Sequence, residues 1–260
     1  MTKSAPLTLD LNGAIARIYF NRPEVLNAVN QEMSEAFLAA VKHIACSPGV
    51  RVISLRGQGR AFMAGGDLLP FQTDPVQTAV DLIAPMHEAL EILASLKQPV
   101  LASLHGSVAG AGLSIALAAD LAIAADDTTF SLAYSKLGAS PDVGGTWHLP
   151  RIVGLRKAME LALLSGTFNA DEALRLSIIN RIVPAESLVE ETERLLMRLA
   201  AGPTFAYGQI KGLLRGSLGR DLHSQLDAES AAFEACAATA DFSEGISAFF
   251  HKRAANFHGN

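Results

Sequence analysis

The stretch Pro99–Ala125, PVLASLHGSVAGAGLSIALAADLAIAA, constrains this chain more than any other. Val100–Leu104 is an apolar run of strand length, and Gly106, Gly110 and Gly112 follow it closely. Leu113–Ala119 is rich in Leu and Ala and free of Pro and Gly, which predicts a helix. Strand, glycine turn and helix in that order leave unpaired main-chain N–H groups at a helix N-terminus, above the strand end. Those amides and the helix dipole together favour negative charge developing beside them. Gly110-Ala111-Gly112 is the expected lip of such a site, because residues without bulk let a ligand approach the backbone. The dinucleotide fingerprint is not met. Its third glycine position falls on Ile115, and the stretch lies mid-chain rather than in an opening βαβ unit.

A second stretch has the same grammar. Val50–Leu55 reads as a strand, Gly57 and Gly59 as a turn, and AFMAGGDL (Ala61–Leu68) follows. Gly65-Gly66 is again bare backbone after a strand, with Asp67 placed to cap what comes next. Two such segments can each present one N–H to a single oxygen, provided that they meet in space.

The remaining pattern alternates strands with helices. Leu7–Leu11 and Ala14–Phe20 flank the turn signal Asn12-Gly13, and a helix is expected over Asn30–Ala45. Leu69–Thr78 reads as a mobile loop, Ala79–Leu96 as a helix bent or split by Pro85, and Gly138–Thr146 as a loop. After Ala201-Gly202-Pro203 everything reads helical. The expected class is α/β, with a core over 1–200 and a helical region for packing or assembly over 201–260. Half of the residues are hydrophobic, enough for a sizeable core. A net charge of −5 without a Lys/Arg-rich run argues against nucleic acid as a partner. Cys46, Cys236 and seven scattered histidines have no ligand spacing, so no metal site is expected, and a reduced compartment is. Val108–Ala125 has the length of a membrane span but carries Asp120 and two glycines, which favours a buried helix followed by a strand. MTKSAPLTLDLNG lacks the apolar core of a signal peptide, so a soluble cytoplasmic protein is expected. A hydrolase pairing of Ser114 with His87 or His105 lacks the GxSxG elbow around the serine.

Laid out in order, NRPEVLNAV (Asn21–Val29), AFMAGGDL, HGSVAGAGLSIALAADLAIAA, SPDVGGTWHLPRIVG (Ser140–Gly154) and EGISAFFHKRAANF (Glu244–Phe257) resemble the crotonase (enoyl-CoA hydratase/isomerase) superfamily over nearly the whole length. The resemblance implies a spiral of ββα turns followed by a helical trimerisation region. It implies trimers or hexamers that bind acyl-coenzyme A thioesters, with no cofactor apart from the coenzyme A carried by the substrate. It makes the amides of Gly66 and Ala111 an oxyanion hole for the thioester oxygen as it turns into an enolate.

Hydratases of this family use two glutamates for acid/base work. At the matching positions this chain has Ser114 and Tyr134, which puts ordinary hydration in doubt. One carboxylate remains, Asp142, in a loop most similar to the branch containing ring-1,2-epoxyphenylacetyl-CoA isomerase and Δ3,Δ2-enoyl-CoA isomerases. A single base can take a proton from C2 and return it to C4, so an isomerase needs only one carboxylate. The same aspartate also fits as a cap on the turn before Gly144-Gly145. Three alternatives stay open: hydration by Tyr134 with Asp142, dehalogenation, and acyl-CoA binding without catalysis. The dehalogenation alternative rests on a histidine and an aspartate of 4-chlorobenzoyl-CoA dehalogenase that match His87 and Asp142. The resemblance also puts Arg22, Val25, Leu26 and Ala64 at the coenzyme A end, and Asp67, Leu68, Gly110, Ser114 and His87 around the ligand. It gives Phe249 and Lys252 to a neighbouring subunit's ligand, although a solvated surface explains Lys252 equally well.

Overall fold

The computed structural model describes residues 5–260. Asn12-Gly13, with Gly13 at φ +58°, turns β1 (Leu7–Asn12) into β2 (Ile15–Phe20) as an antiparallel pair. Seven strands follow: β3 (Val52–Gly57), β4 (Val100–Leu104), β5 (Ser107–Ala109), β6 (Leu121–Ala125), β7 (Thr129–Ser131), β8 (Phe168–Asn169) and β9 (Arg181–Val183). One sheet has the order β1-β2-β3-β4-β6-β9 and is parallel from β2 onward. A smaller sheet, β5-β7-β8, is extended beyond β5 by a bridge from Val108 to Met63, and Gly66 bridges in turn to Val29.

This arrangement makes the chain a spiral. Each turn gives a strand to the large sheet, a short extended piece to the small sheet, and then a helix. The first helix, α1 (Gln31–Ala45), starts where Asn30 Oδ1 accepts the Met33 N–H and buries Met33, Phe37, Val41 and Ile44. Phe20 joins this face to the sheet, with ring centroids 5.6 Å from Phe37 and 5.7 Å from Phe62.

The next helix corrects the expected loop over Leu69–Thr78. A 3-10 turn spans Pro70–Gln72, and α2 (Pro75–Ser95) has already begun four residues before the predicted Ala79 start. Asp74 Oδ1 accepts the Gln77 N–H, and Pro75 stands at the first helical position, where a missing N–H costs nothing. Pro85 does not split α2; Leu82, Met86, Ala89 and Leu93 bury one face across it. The candidate membrane span over Val108–Ala125 is divided among β5, α3 (Ala111–Ala118) and β6. Among the described residues no helix is long and apolar enough to cross a membrane.

Part of the expected loop over Gly138–Thr146 is also helical, since α4 (Gly145–Val153) starts inside it. Its glycine start and internal Pro150 concealed it. After α5 (Leu155–Leu164), α6 (Ala170–Arg175) and α7 (Leu188–Ala200) comes the helical tail: α8 (Thr204–Ser217), α9 (Leu222–Ala237) and α10 (Ala240–Phe250). Asp120, just after α3, holds α8 through Lys211 at 2.9 Å and Arg215 at 2.8 Å, and Arg215 also bonds the Ala118 carbonyl at the end of α3. Burial outweighs the pull of Asp120 and keeps the Lys211 ammonium below the usual lysine range. Leu222, Leu226, Phe233, Phe249 and Phe250 stay exposed on the single chain.

Candidate active site

The two glycine segments meet. Met63 donates its amide to Ser107 and accepts from Ala109, which fixes the Ala61–Leu68 stretch beside β5. Two residues further on, the backbones touch: a Cβ on Gly110 would lie 3.3 Å from the Gly65 Cα. Both glycines sit at positive φ, +115° at Gly65 and +52° at Gly110, so neither tolerates a side chain without strain.

The amide directions follow from peptide planarity. The Gly65 carbonyl accepts the Val29 N–H, so the trans-opposed N–H of Gly66 points away from Val29. The Gly110 carbonyl accepts the Ser114 N–H within α3, so the Ala111 N–H points out of the helix N-terminus. Neither amide has a main-chain acceptor among the described residues. Both amides are thus left without main-chain partners beside the point where the two glycine segments touch.

Gly112 has a different job from the one its sequence suggested. A Cβ there would come within 2.3 Å of the Met63 carbonyl oxygen, so this glycine lets α3 lie against the Met63 segment and is not part of the lip. Gly112→Ala is expected to cost about 1–3 kcal/mol of stability, because the collision is with backbone. Thermal melting checks this.

Asp142 sits at the end of a polar chain that starts on the first turn of α3. Ser114 Oγ lies 3.3 Å from Tyr134 Oη, and Tyr134 donates its phenol to Asp142 Oδ1 at 2.5 Å. The capping alternative for Asp142 does not hold, because the Gly145 amide bonds the Asp142 main-chain carbonyl, and α4 has no side-chain cap. Burial pushes the Asp142 carboxyl above the ordinary aspartate range, against the Tyr134 hydrogen bond and nearby His87, which pull it down. Burial and the Asp142 charge push the Tyr134 phenol far up, so it stays a donor at every working pH. His87 joins the group from α2, where its Nε2 accepts the Val143 N–H at 3.2 Å. It does not touch Ser114, and His105 Nε2 bonds the Gly59 carbonyl, so neither of these histidines pairs with Ser114 among the described residues.

The coenzyme A candidates form a second group. Arg22 is bound to Asp67 at 2.9 Å and to the Ala28 carbonyl, so its charge is already neutralised. Ala64 donates its amide to the Leu26 carbonyl, Val25 and Leu68 are exposed, and Leu26 adopts a left-handed φ of +53°. Phe249 and Lys252 lie exposed in and just after α10, and no hydrogen bond or ion pair joins them to this site among the described residues.

Two cavities of about 680 and 480 Å³ open beside the Asp142 loop rather than over the amides. The first runs from His87, Leu90 and Gly144 to Trp147, and the second continues past Trp147 between α4 and α8. Neither Gly66 nor Ala111 lines either cavity. His148, on the wall shared by the two, is driven down to about 4 by burial and by Arg215 and Arg151.

The enoyl-CoA hydratase/isomerase family model matches residues 10–260. The chain is 38% identical over 249 residues to 1,2-epoxyphenylacetyl-CoA isomerase of Escherichia coli (strain K12), covering 94% of this chain and 95% of the relative. It is 37% identical over 250 residues to a protein of Rhodobacter capsulatus named as a probable enoyl-CoA hydratase, covering 96% of each. The crystal structure of an enoyl-CoA hydratase from Polaromonas sp. JS666 superposes with a TM-score of 0.92 at 29% identity, over 97% of this chain and 99% of that one. Spiral, paired amides and similarity along both full lengths agree: this chain is a member of the enoyl-CoA hydratase/isomerase family, with the crotonase fold.

Proposed function

We propose that the protein is an acyl-CoA isomerase that moves a double bond, or opens an epoxide ring, through an enolate. The observation that carries this reading is the Ser114–Tyr134–Asp142 chain: serine and tyrosine stand at the two positions where the family's hydratases have glutamates, and Asp142 is the carboxylate bonded to Tyr134. In the double-bond reaction, Asp142 takes a proton from C2 of a 3-enoyl thioester. The electron pair moves onto the thioester oxygen, held by the Gly66 and Ala111 amides, and the same carboxyl returns the proton to C4. Two fixed donors act more strongly on the enolate than on the neutral carbonyl, which is what lowers the barrier. Tyr134 occupies Asp142 Oδ1, so this reading gives the proton transfer to Oδ2. Coenzyme A arrives with the substrate, and no resident cofactor has a part in these steps.

A dehalogenase-like reading needs a histidine with a free lone pair, whereas His87 Nε2 receives the Val143 amide. The exposed apolar residues of α9 and α10 support assembly into trimers or hexamers, with Phe249 and Lys252 reaching a neighbour's ligand.

Incubation with 3-enoyl-CoA and, separately, 2-enoyl-CoA tests the reading. Migration of the double bond supports it. Water addition to 2-enoyl-CoA without migration favours hydration, and binding with neither reaction favours a non-catalytic acyl-CoA-binding protein. The pH profile adds a second check. Asp142 works as a base only when ionised, and burial raises its pKa, so the rate should fall on the acid side earlier than an ordinary aspartate would cause. An acid limb at or below the ordinary aspartate range contradicts this.

A further inference from the structure

We propose that His87 is a positioning residue for Asp142, acting as a fixed acceptor that holds the Val143 peptide and, through it, the carboxylate next to it in the chain. This rests on the reading of Asp142 as the acid/base group. Val143 is fully buried, yet its φ is +51°, in the left-handed region where a β-branched residue is strained. Gly144 follows at φ +75°, so the chain bends sharply just after Asp142. Such strain persists only where the surroundings over-determine it. Here the surroundings are the buried Val143 side chain on one side and the His87 hydrogen bond at 3.2 Å on the other. Tyr134 grips Asp142 from the carboxylate end. The carboxyl is thus fixed at its tip by a phenol and at its base by an imidazole.

The hydrogen bond fixes the imidazole chemistry as well. Nε2 accepts, so the ring proton sits on Nδ1, and a doubly protonated ring has no lone pair left for Val143. The charged and titratable groups around His87 are Asp142 and Tyr134 across the loop, Glu88 and Glu91 on α2, His148 on α4 and Arg215 on α8. Glu88 is paired with Lys42, and burial keeps His148 neutral above about pH 4.

The test compares His87→Gln, His87→Ala and Asp142→Asn with wild type, using migration in 3-enoyl-CoA. His87 is exposed, so truncation opens no core cavity. Glutamine places an uncharged acceptor near the Nε2 position. His87→Ala is expected to lose kcat by about 10- to 100-fold with KM nearly unchanged, the scale of a misplaced catalytic group. His87→Gln should recover most of that loss. Equal losses in His87→Ala and His87→Gln overturn the proposal, since an acceptor alone would then not suffice. Wild-type kcat in His87→Ala, with Asp142→Asn inactive, also overturns it and leaves the isomerase reading standing. A fully active Asp142→Asn removes that reading and this inference together.

Discussion

Replacing Asp142 by asparagine is expected to lower the rate of double-bond migration by about 10²–10⁴-fold, the usual contribution of a positioned acid/base group. Asparagine keeps the shape of the side chain and an oxygen that can accept from Tyr134, but it cannot carry the migrating proton. Affinity for a saturated acyl-CoA, measured by calorimetry, should stay near the wild-type value. The variant should also be as stable as wild type at neutral pH, or more so. The fold raises the pKa of Asp142, so the folded state holds its proton more tightly than the unfolded chain does. Ionisation therefore subtracts stability as pH rises from the ordinary aspartate range through the raised value, and asparagine avoids that loss. A stable, ligand-binding and inactive variant is the expected result. Full activity would sink the assignment.

Replacing Gly66 by proline should cost about 10²–10³-fold in rate, because it deletes one of the two amides proposed to hold the thioester oxygen. Alanine at the same position is the control. A Cβ at Gly66 meets nothing within 4 Å, and the residue is not in the left-handed region, so Gly66→Ala keeps the N–H without strain. The comparison isolates the donor from the side chain. Equal rates in the proline and alanine variants would show that this amide does not hold the developing charge.

The sequence made the two glycine segments legible because strand, glycine and helix follow one another locally. It could not show that they meet, since that depends on the Met63–Val108 bridge between residues 45 positions apart. Hairpin β1–β2 and helix α1 were readable for the same local reason, through Asn12-Gly13 and the Asn30 cap. The element β5 was missed because three residues between glycines carry no periodicity. Helix α4 was hidden by Gly144, Gly145 and Pro150, residues that break helices in isolation but that packing overrides here. At the site, Asp142 stood out once the two glutamate positions were found filled by Ser114 and Tyr134. The contact between His87 and Val143 left no trace in the sequence, because neither the left-handed valine nor a partner 56 residues away has a local signature.

The short ladder that joins Met63 to Ser107 and Ala109 has a mechanical consequence. Both proposed donors, Gly66 and Ala111, hang from the same few rungs, three residues beyond Met63 on one side and two beyond Ala109 on the other. Thermal breathing of the large sheet then carries the pair along as a unit and leaves the gap between them almost constant. Substitutions deep in that sheet should lower the melting temperature well before they slow turnover, so durability and chemistry can drift apart among related chains.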